Sequence, residues 1–206
     1  MKTRIKSARV LLAEVQQILN RKPSPQYRAE AVLDGVVELL HAQRQYFWIG
    51  IYLVAGGEAF CQAFRGGAPA RRSVTLDEGS VRSAAQSGTI KLVPDTGKSF
   101  GAGARSPQTK SEIAVPIKIA SRVLGVISVE SNRLDGFSYP EQVLLRRLSR
   151  SLAKFLLSNR GKLLLRKLRA SSATTKEPAA EAKLNPSSDH SAALPRRRAA
   201  AGVATV

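Results

Sequence analysis

The chain has 206 residues, with 33 Lys and Arg against 15 Asp and Glu, a formal net charge of +18 at pH 7. With 43% hydrophobic and 23% charged residues, the composition suits one folded domain with extensions and excludes wholesale disorder or two full-sized domains. No apolar run reaches the roughly 18 residues of a membrane span, and the lone cysteine, Cys61, excludes an internal disulfide and a cysteine-rich zinc site.

Residues 3–20 read as an amphipathic helix, with Ile5, Ala8, Leu12, Val15 and Leu19 forming one narrow apolar stripe. Glu14, Gln16 and Gln17 break the run behind the basic start, so no secretory leader is read, and a reduced, cytoplasmic compartment is expected. Asn20 and Pro23 stop this helix. Ser24-Pro25 opens a second as N-cap and first helical residue. Val32, Leu33, Val36, Val37 and Leu40 are its buried side, and it ends near His41 to Arg44.

Strand character follows from Tyr46 to Val54, where aromatic and β-branched residues crowd. Gly56-Gly57 is a hairpin turn, and Ala59 to Phe64 the returning strand. A polar loop carries Arg65, Arg71 and Arg72. Residues 80–87 form a short helix closed by Gly88, and Ile90 to Val93 a short strand closed by Pro94-Asp95. Residues 96–110, rich in glycine, read as a loop. Two strong strands follow, Ser111 to Ala120 and Val123 to Ser131, turning at Ser121-Arg122. Ser138-Tyr139-Pro140-Glu141 is a capping box that opens the last helix, whose buried side is Leu144, Leu145, Leu148, Leu152, Phe155 and Leu156. Gly161 either ends this helix or only weakens it, since Leu163 to Leu165 and Leu168 can extend it.

The expected organisation is an N-terminal helix over 1–23, a domain over 24–160, and a basic, mostly disordered tail over 161–206. The fold class is α+β: a mainly antiparallel sheet with the N- and C-terminal helices packed on one face. The positive charge extends over both the domain and the tail, where Arg196, Arg197 and Arg198 cluster. It favours weak, nonspecific contact with nucleic acid or other polyanions.

Three segments carry a family resemblance: Trp48-x-Gly50-x-Tyr52, the run Lys110-Ser111-Glu112-Ile113-Ala114-Val115-Pro116-Ile117, and Gly125-Val126-Ile127-Ser128-Val129-Glu130-Ser131 leading to Phe137. Over residues 25–160 the chain resembles a GAF domain, the small-molecule sensing module. Within that superfamily it is similar to the free methionine-(R)-sulfoxide reductases, in which a thiolate attacks the sulfoxide and a second thiol resolves the intermediate. Where that family carries one cysteine this chain has Val81, and in the loop that carries the others Ala104 is the equivalent residue. Cys61 lies on a different strand and does not replace them. The resemblance thus implies a non-catalytic sensor, homodimeric through its terminal helices, that takes an unidentified small molecule. The alternatives are a reductase-like enzyme and a polyanion-associated scaffold.

Strand alternation puts Trp48, Gly50 and Tyr52 on one face and Phe47, Ile49, Ile51 and Leu53 on the other. The aromatic pair is read as a pocket wall or as ordinary sheet packing. Glu112 faces away from Ile113, Val115 and Ile117, while Glu130 shares a face with Leu124, Val126 and Ser128. In the resembling reductases, acids at such positions hold the amino-acid substrate; Ser128 stands here in place of one of them. Glu112 and Glu130 are read either as ligand-binding carboxylates or as solvated strand-edge charges. Asp95 is a further ligand-binding candidate or a turn former. Arg65, Arg71, Arg72, Arg82 and Arg105 either gather at the pocket mouth or scatter in solvent. No phosphate-binding glycine loop and no metal cluster is evident, so neither a cofactor nor a metal is expected.

Overall fold

The computed structural model describes residues 5–21, 28–67, 73–75, 79–98 and 106–174. The first helix, α1, is Ala8–Leu19. Its N-cap is Ser7, whose hydroxyl accepts the Val10 N–H, so the helix starts five residues later than the apolar stripe suggests. The stripe itself is shifted. Leu11, Val15 and Leu19 are the buried side, whereas Ile5 is 61% exposed and Ala8 is also open to solvent. Leu12 packs at the margin. Asn20 closes the helix as expected.

Helix α2 spans Ala29–Arg44 and buries the five expected residues. It ends in the left-handed Gln45. Ser24 and Pro25 lie outside the described residues; Arg28 is the N-cap residue. Strands β1 (Trp48–Ala55) and β2 (Glu58–Gly66) form the expected hairpin. Gly56 and Gly57 have φ of 58° and 81°, the pair of positive angles that a two-residue turn matching strand twist requires. The remaining elements are β3 (Ser73–Thr75), α3 (Gly79–Ser87), β4 (Lys91–Val93), β5 (Ser111–Ile119), β6 (Arg122–Ser131) and α4 (Tyr139–Thr174). β3 is an addition to the expected elements. The β5–β6 turn sits at Ala120-Ser121, one residue earlier than expected, and Ala120 takes the positive φ.

The sheet has six strands in the order β3-β2-β1-β6-β5-β4, every pair antiparallel. α2 and α4 cover one face, and α1 packs on those two helices. Between them lies the main core, with Leu33, Val36 and Leu40 from α2, Leu145, Leu148 and Leu152 from α4, and Ile49, Ile51, Ile113 and Ile127 from the sheet. α3 crosses the opposite face over β5 and β6. The fold class is therefore the expected α+β arrangement. Among the described residues no helix is long and apolar enough to cross a membrane.

α4 runs through Gly161, where an added Cβ would meet open space, and Leu163 is fully buried. The helix thus carries the ordered chain to Thr174, past the boundary drawn at residue 160. Residues 175–206 lie outside the described residues.

Tyr46 ties the start of β1 to the start of α4. Its hydroxyl donates to the Glu141 carboxylate. Burial first, then the charge and hydrogen bond of Glu141, hold the phenol well above its ordinary 10.0. The folded state keeps this proton more tightly than the unfolded chain does. The resulting stabilisation is complete below about pH 10 and declines above it, as the unfolded phenol ionises. Tyr46→Phe should cost about 2 kcal/mol at neutral pH, the scale of a hydrogen bond to a charged group. Urea unfolding at pH 7 and above pH 10 checks this: the variant should lose less stability on going alkaline than the wild type does.

Candidate functional site

The face opposite the main core carries its own cluster of side chains. Trp48 and Tyr52 from β1 pack there with Ala59 and Cys61 of β2, Val81 and Ala84 of α3, Ala114 of β5 and Val126 of β6. Ile49, Ile51 and Leu53 point into the main core, as alternation requires. The Trp48 indole is stacked on Phe64, ring centroids 6.3 Å apart, and lies tilted 6.4 Å from the Tyr52 ring. It folds back across Gly50: a Cβ added there would meet three indole carbons at 2.1–2.9 Å. The glycine is the space the indole occupies.

Two β-bulges set which side chains reach this face. Ile51 pairs with Ala63 but Tyr52 with Cys61, leaving Gln62 as the extra residue on β2. Cys61 and Phe64 thereby both face Trp48, while Ala63 joins the main core. On β6, Ile117 pairs with Gly125 but Lys118 with Val123, so Leu124 is the extra residue. It turns into the main core. The expectation that Leu124 shares a face with Glu130 is corrected by that bulge.

Beyond the aromatic cluster the register brings acids together. Glu112 on β5 stands directly opposite Glu130 on β6, and Trp48 on β1 lies opposite Glu130 from the other side. Both acids are buried, Glu112 4% and Glu130 1% exposed, so they are not solvated strand-edge charges. Glu112 Oε1 accepts the hydroxyls of Ser80, at 2.5 Å, and of Ser128, at 3.1 Å. Glu130 Oε2 accepts the Thr109 hydroxyl at 2.5 Å. Like charges directly across a strand pair repel, and buried carboxylates need donors. Three hydroxyls are among the donors that meet it. The arrangement offers acceptor-rich chemistry next to aromatic rings, which suits a ligand bearing an ammonium or another N–H-rich cation.

Trp48, Tyr52, Glu112, Ser128 and Glu130 are thus brought together in one buried region, the burial of the two acids being what the sequence left open. Asp95 lies at the end of β4, where its carboxylate accepts the Gly97 N–H at 2.9 Å and meets Lys98 at 3.6 Å. These contacts are those of a turn former. Of the arginines, Arg65 leaves on the helical side and pairs with Glu38 at 2.7 Å and Asp34 at 3.5 Å. Arg82 sits on α3, beside Val81. Arg71, Arg72, Arg105 and Ala104 lie outside the described residues. The sequence reading missed Ser80 and Thr109, because a serine opening a helix and a threonine before a strand carry no local mark of a distant acid partner. Cys61 is buried, and its thiol donates to the Ala63 carbonyl at 3.7 Å. It shares the cluster with Val81.

A family model described as a GAF domain matches residues 24–156. GAF domain-containing protein A of Dictyostelium discoideum is 31% identical over 123 residues, covering 59% of this chain and 77% of that protein. Free methionine-R-sulfoxide reductase of Saccharomyces cerevisiae is 30% identical over 111 residues, 52% of this chain and 61% of the enzyme. Among solved structures, a free methionine-R-sulfoxide reductase from Neisseria meningitidis in complex with its substrate superposes with a TM-score of 0.68 at 23% identity, covering 79% of this chain and 95% of that one. A GAF sensor protein from Burkholderia vietnamiensis gives 0.64 at 24% identity, covering 72% and 92%. At these identities the structural likeness speaks for the fold.

Proposed function

The chain belongs to the GAF domain family, and from that membership we propose that it is a small-molecule-binding sensor module without thiol catalysis. The observation that carries the reading is the buried pair Glu112 and Glu130 beside Trp48. Burying two opposed carboxylates costs stability, and a cation-binding role accounts for their being kept there. A ligand with an ammonium group answers both acids, and its apolar part lies along Trp48 and Tyr52. Amino-acid-like molecules are therefore the first class to test, and the acids of the resembling reductases favour the same class. Val81 cannot supply a thiolate, and the single Cys61 leaves no second thiol in this sequence to resolve an intermediate. That chemistry favours binding without turnover unless an external thiol resolves it. The proposal includes a cytoplasmic location and a homodimer through α1 and α4, supported by the exposed Val10 on α1 and Leu165 toward the end of α4, outside the Arg146–Lys162 stretch.

The test is thermal stability against methionine, its sulfoxides, cyclic nucleotides and small carboxylic acids. A ligand at about 100 times its Kd adds about 2.7 kcal/mol, which raises the midpoint by roughly 5–10 °C for a chain of this size. The methionine-like compounds should give this shift, and Trp48→Ala should remove it. A flat panel, or shifts that survive Trp48→Ala, would defeat the reading. The likeness to the yeast reductase favours a second reading, a reductase-like enzyme. Turnover of free methionine-(R)-sulfoxide with a thiol reductant separates the two. Turnover lost in Cys61→Ser would establish the enzyme; a thermal shift without turnover supports the sensor.

A further inference from the structure

The outer face of α4 lies across the molecule from the acid pair. It exposes Arg146, Arg147, Arg150, Lys154 and Lys162. Arg147, Arg150 and Lys154 follow at intervals of three and four, so they line up along one side of the helix. From Arg147 to Lys154 the rise is about 10 Å. Glu141 is the sole acid of the whole helix, and it is engaged by Tyr46. On α1, Glu14 is held by Lys6 at 2.7 Å. Among the described residues no ion pair engages any of the five cations.

A groove of about 590 Å³ runs beside this track, between the end of α1 and the middle of α4. Arg150 and Lys154 line it together with Ser151, Ser158 and the apolar Leu19 and Phe155, while the Gln16 amide at its edge donates to Asn20 Oδ1 at 2.9 Å. No acid lines it. Cations and neutral donors around one groove fit phosphate oxygens. The track is longer than a small anion needs. A second copy is disfavoured here, because a two-fold contact centred on this stretch would set Arg150 and Lys154 against their own equivalents. An anionic membrane is disfavoured too: Leu157 is the one large exposed apolar side chain between Arg146 and Lys162, whereas surface-lying helices bury a broad apolar face.

We propose that the outer face of α4 and the adjoining α1–α4 groove form a docking surface for the phosphate backbone of a nucleic acid. The surface is independent of the buried acid pair, so either reading can fail without the other. The full chain is titrated against a labelled DNA duplex of about 20 base pairs, from about 50 to 200 mM salt, by fluorescence anisotropy. Each lost phosphate contact flattens the slope of log K against log salt by about 0.9. Arg150→Ala/Lys154→Ala should flatten it by about 1.8 and weaken binding at least about tenfold at 100 mM salt. Both side chains are exposed, so the melting temperature should hold, which separates lost contacts from lost folding. Arg196→Ala/Arg197→Ala/Arg198→Ala, in the tail, should change the affinity less than the α4 pair does. An unchanged slope in the α4 variant would overturn the proposal. So would loss of binding that tracks the tail variant alone, or tighter binding to phosphatidylserine vesicles than to the duplex.

Discussion

Glu112→Ala should lower the unfolding free energy by about 3 kcal/mol, while Glu112→Gln should cost about 1 kcal/mol or less. The difference lies in what each change leaves behind. Alanine removes the oxygen that accepts both the Ser80 and Ser128 hydroxyls. Those hydroxyls are fully or nearly fully buried, so water cannot replace the lost acceptor, and a cavity opens between α3 and β5. Glutamine keeps an acceptor oxygen and removes one of two opposed charges. Its effect on ligand binding should be the reverse of its effect on stability. A cationic ligand attracted by the pair should bind at least about tenfold more weakly to Glu112→Gln, the loss expected for one charge-assisted contact. Urea unfolding and titration calorimetry with whichever methionine-like compound shifts the wild type read the two quantities separately. If Glu112→Ala unfolds like the wild type, the two serine bonds carry little. If Glu112→Gln binds unchanged, the acids serve the fold alone and the ligand reading fails at this residue.

The parts of this face that were legible in the sequence were those with an unbroken local period. Alternation along β1 separates Trp48, Gly50 and Tyr52 from Ile49, Ile51 and Leu53, and the structure keeps that division. Alternation along β5 puts Glu112 opposite to Ile113 and Val115 in the same way. The rule fails at Gln62 and Leu124, where one extra residue shifts the count. Nothing local marks the bulge at Gln62, and the only hint of the second is Gly125 beside Leu124, a glycine inside a strand. Cys61 therefore reaches the aromatic cluster by a shift that alternation alone does not give. Burial of the two acids was equally out of reach, because it depends on α3 covering β5 and β6 and on hydroxyls up to 32 residues away. In α1, several apolar side chains admit more than one stripe. Ser7 decides where the helix starts, and packing against α2 and α4 decides which stripe is used. Gly161 lowers helix propensity, yet Leu163 packing into the core carries α4 through it. The start of α1 turns on a local cap, and the other misses are cases of tertiary contact deciding where the local signal is absent or ambiguous.

Gly50→Ala should destabilise the protein by about 3 kcal/mol, the upper range for an overpacked core. Alanine is otherwise no worse than glycine in a strand and loses less chain entropy on folding, so a loss of this size must come from the indole. The new Cβ would fall 2.1 Å from the Trp48 Cη2 atom. The ring has little room to yield, with Phe64 stacked against it and Tyr52 at its side. Trp48→Leu alone should also cost about 3 kcal/mol, through the volume it empties. In the double variant the alanine methyl meets vacated space. The two losses should therefore not add, and the double variant should recover about 2 kcal/mol of their sum, as expected for side chains in direct contact. Strict additivity would place the indole somewhere other than over Gly50. The chain has a single tryptophan, so its fluorescence reports on this ring alone. Gly50→Ala should shift the emission toward that of a wetter indole even where the protein remains folded. If Trp48 is the wall of a ligand site, the same variant should lose the thermal shift while keeping both acids. Glu112→Gln and Gly50→Ala then remove the charge and the aromatic surface one at a time, and the drop in affinity from each measures what that half of the face contributes.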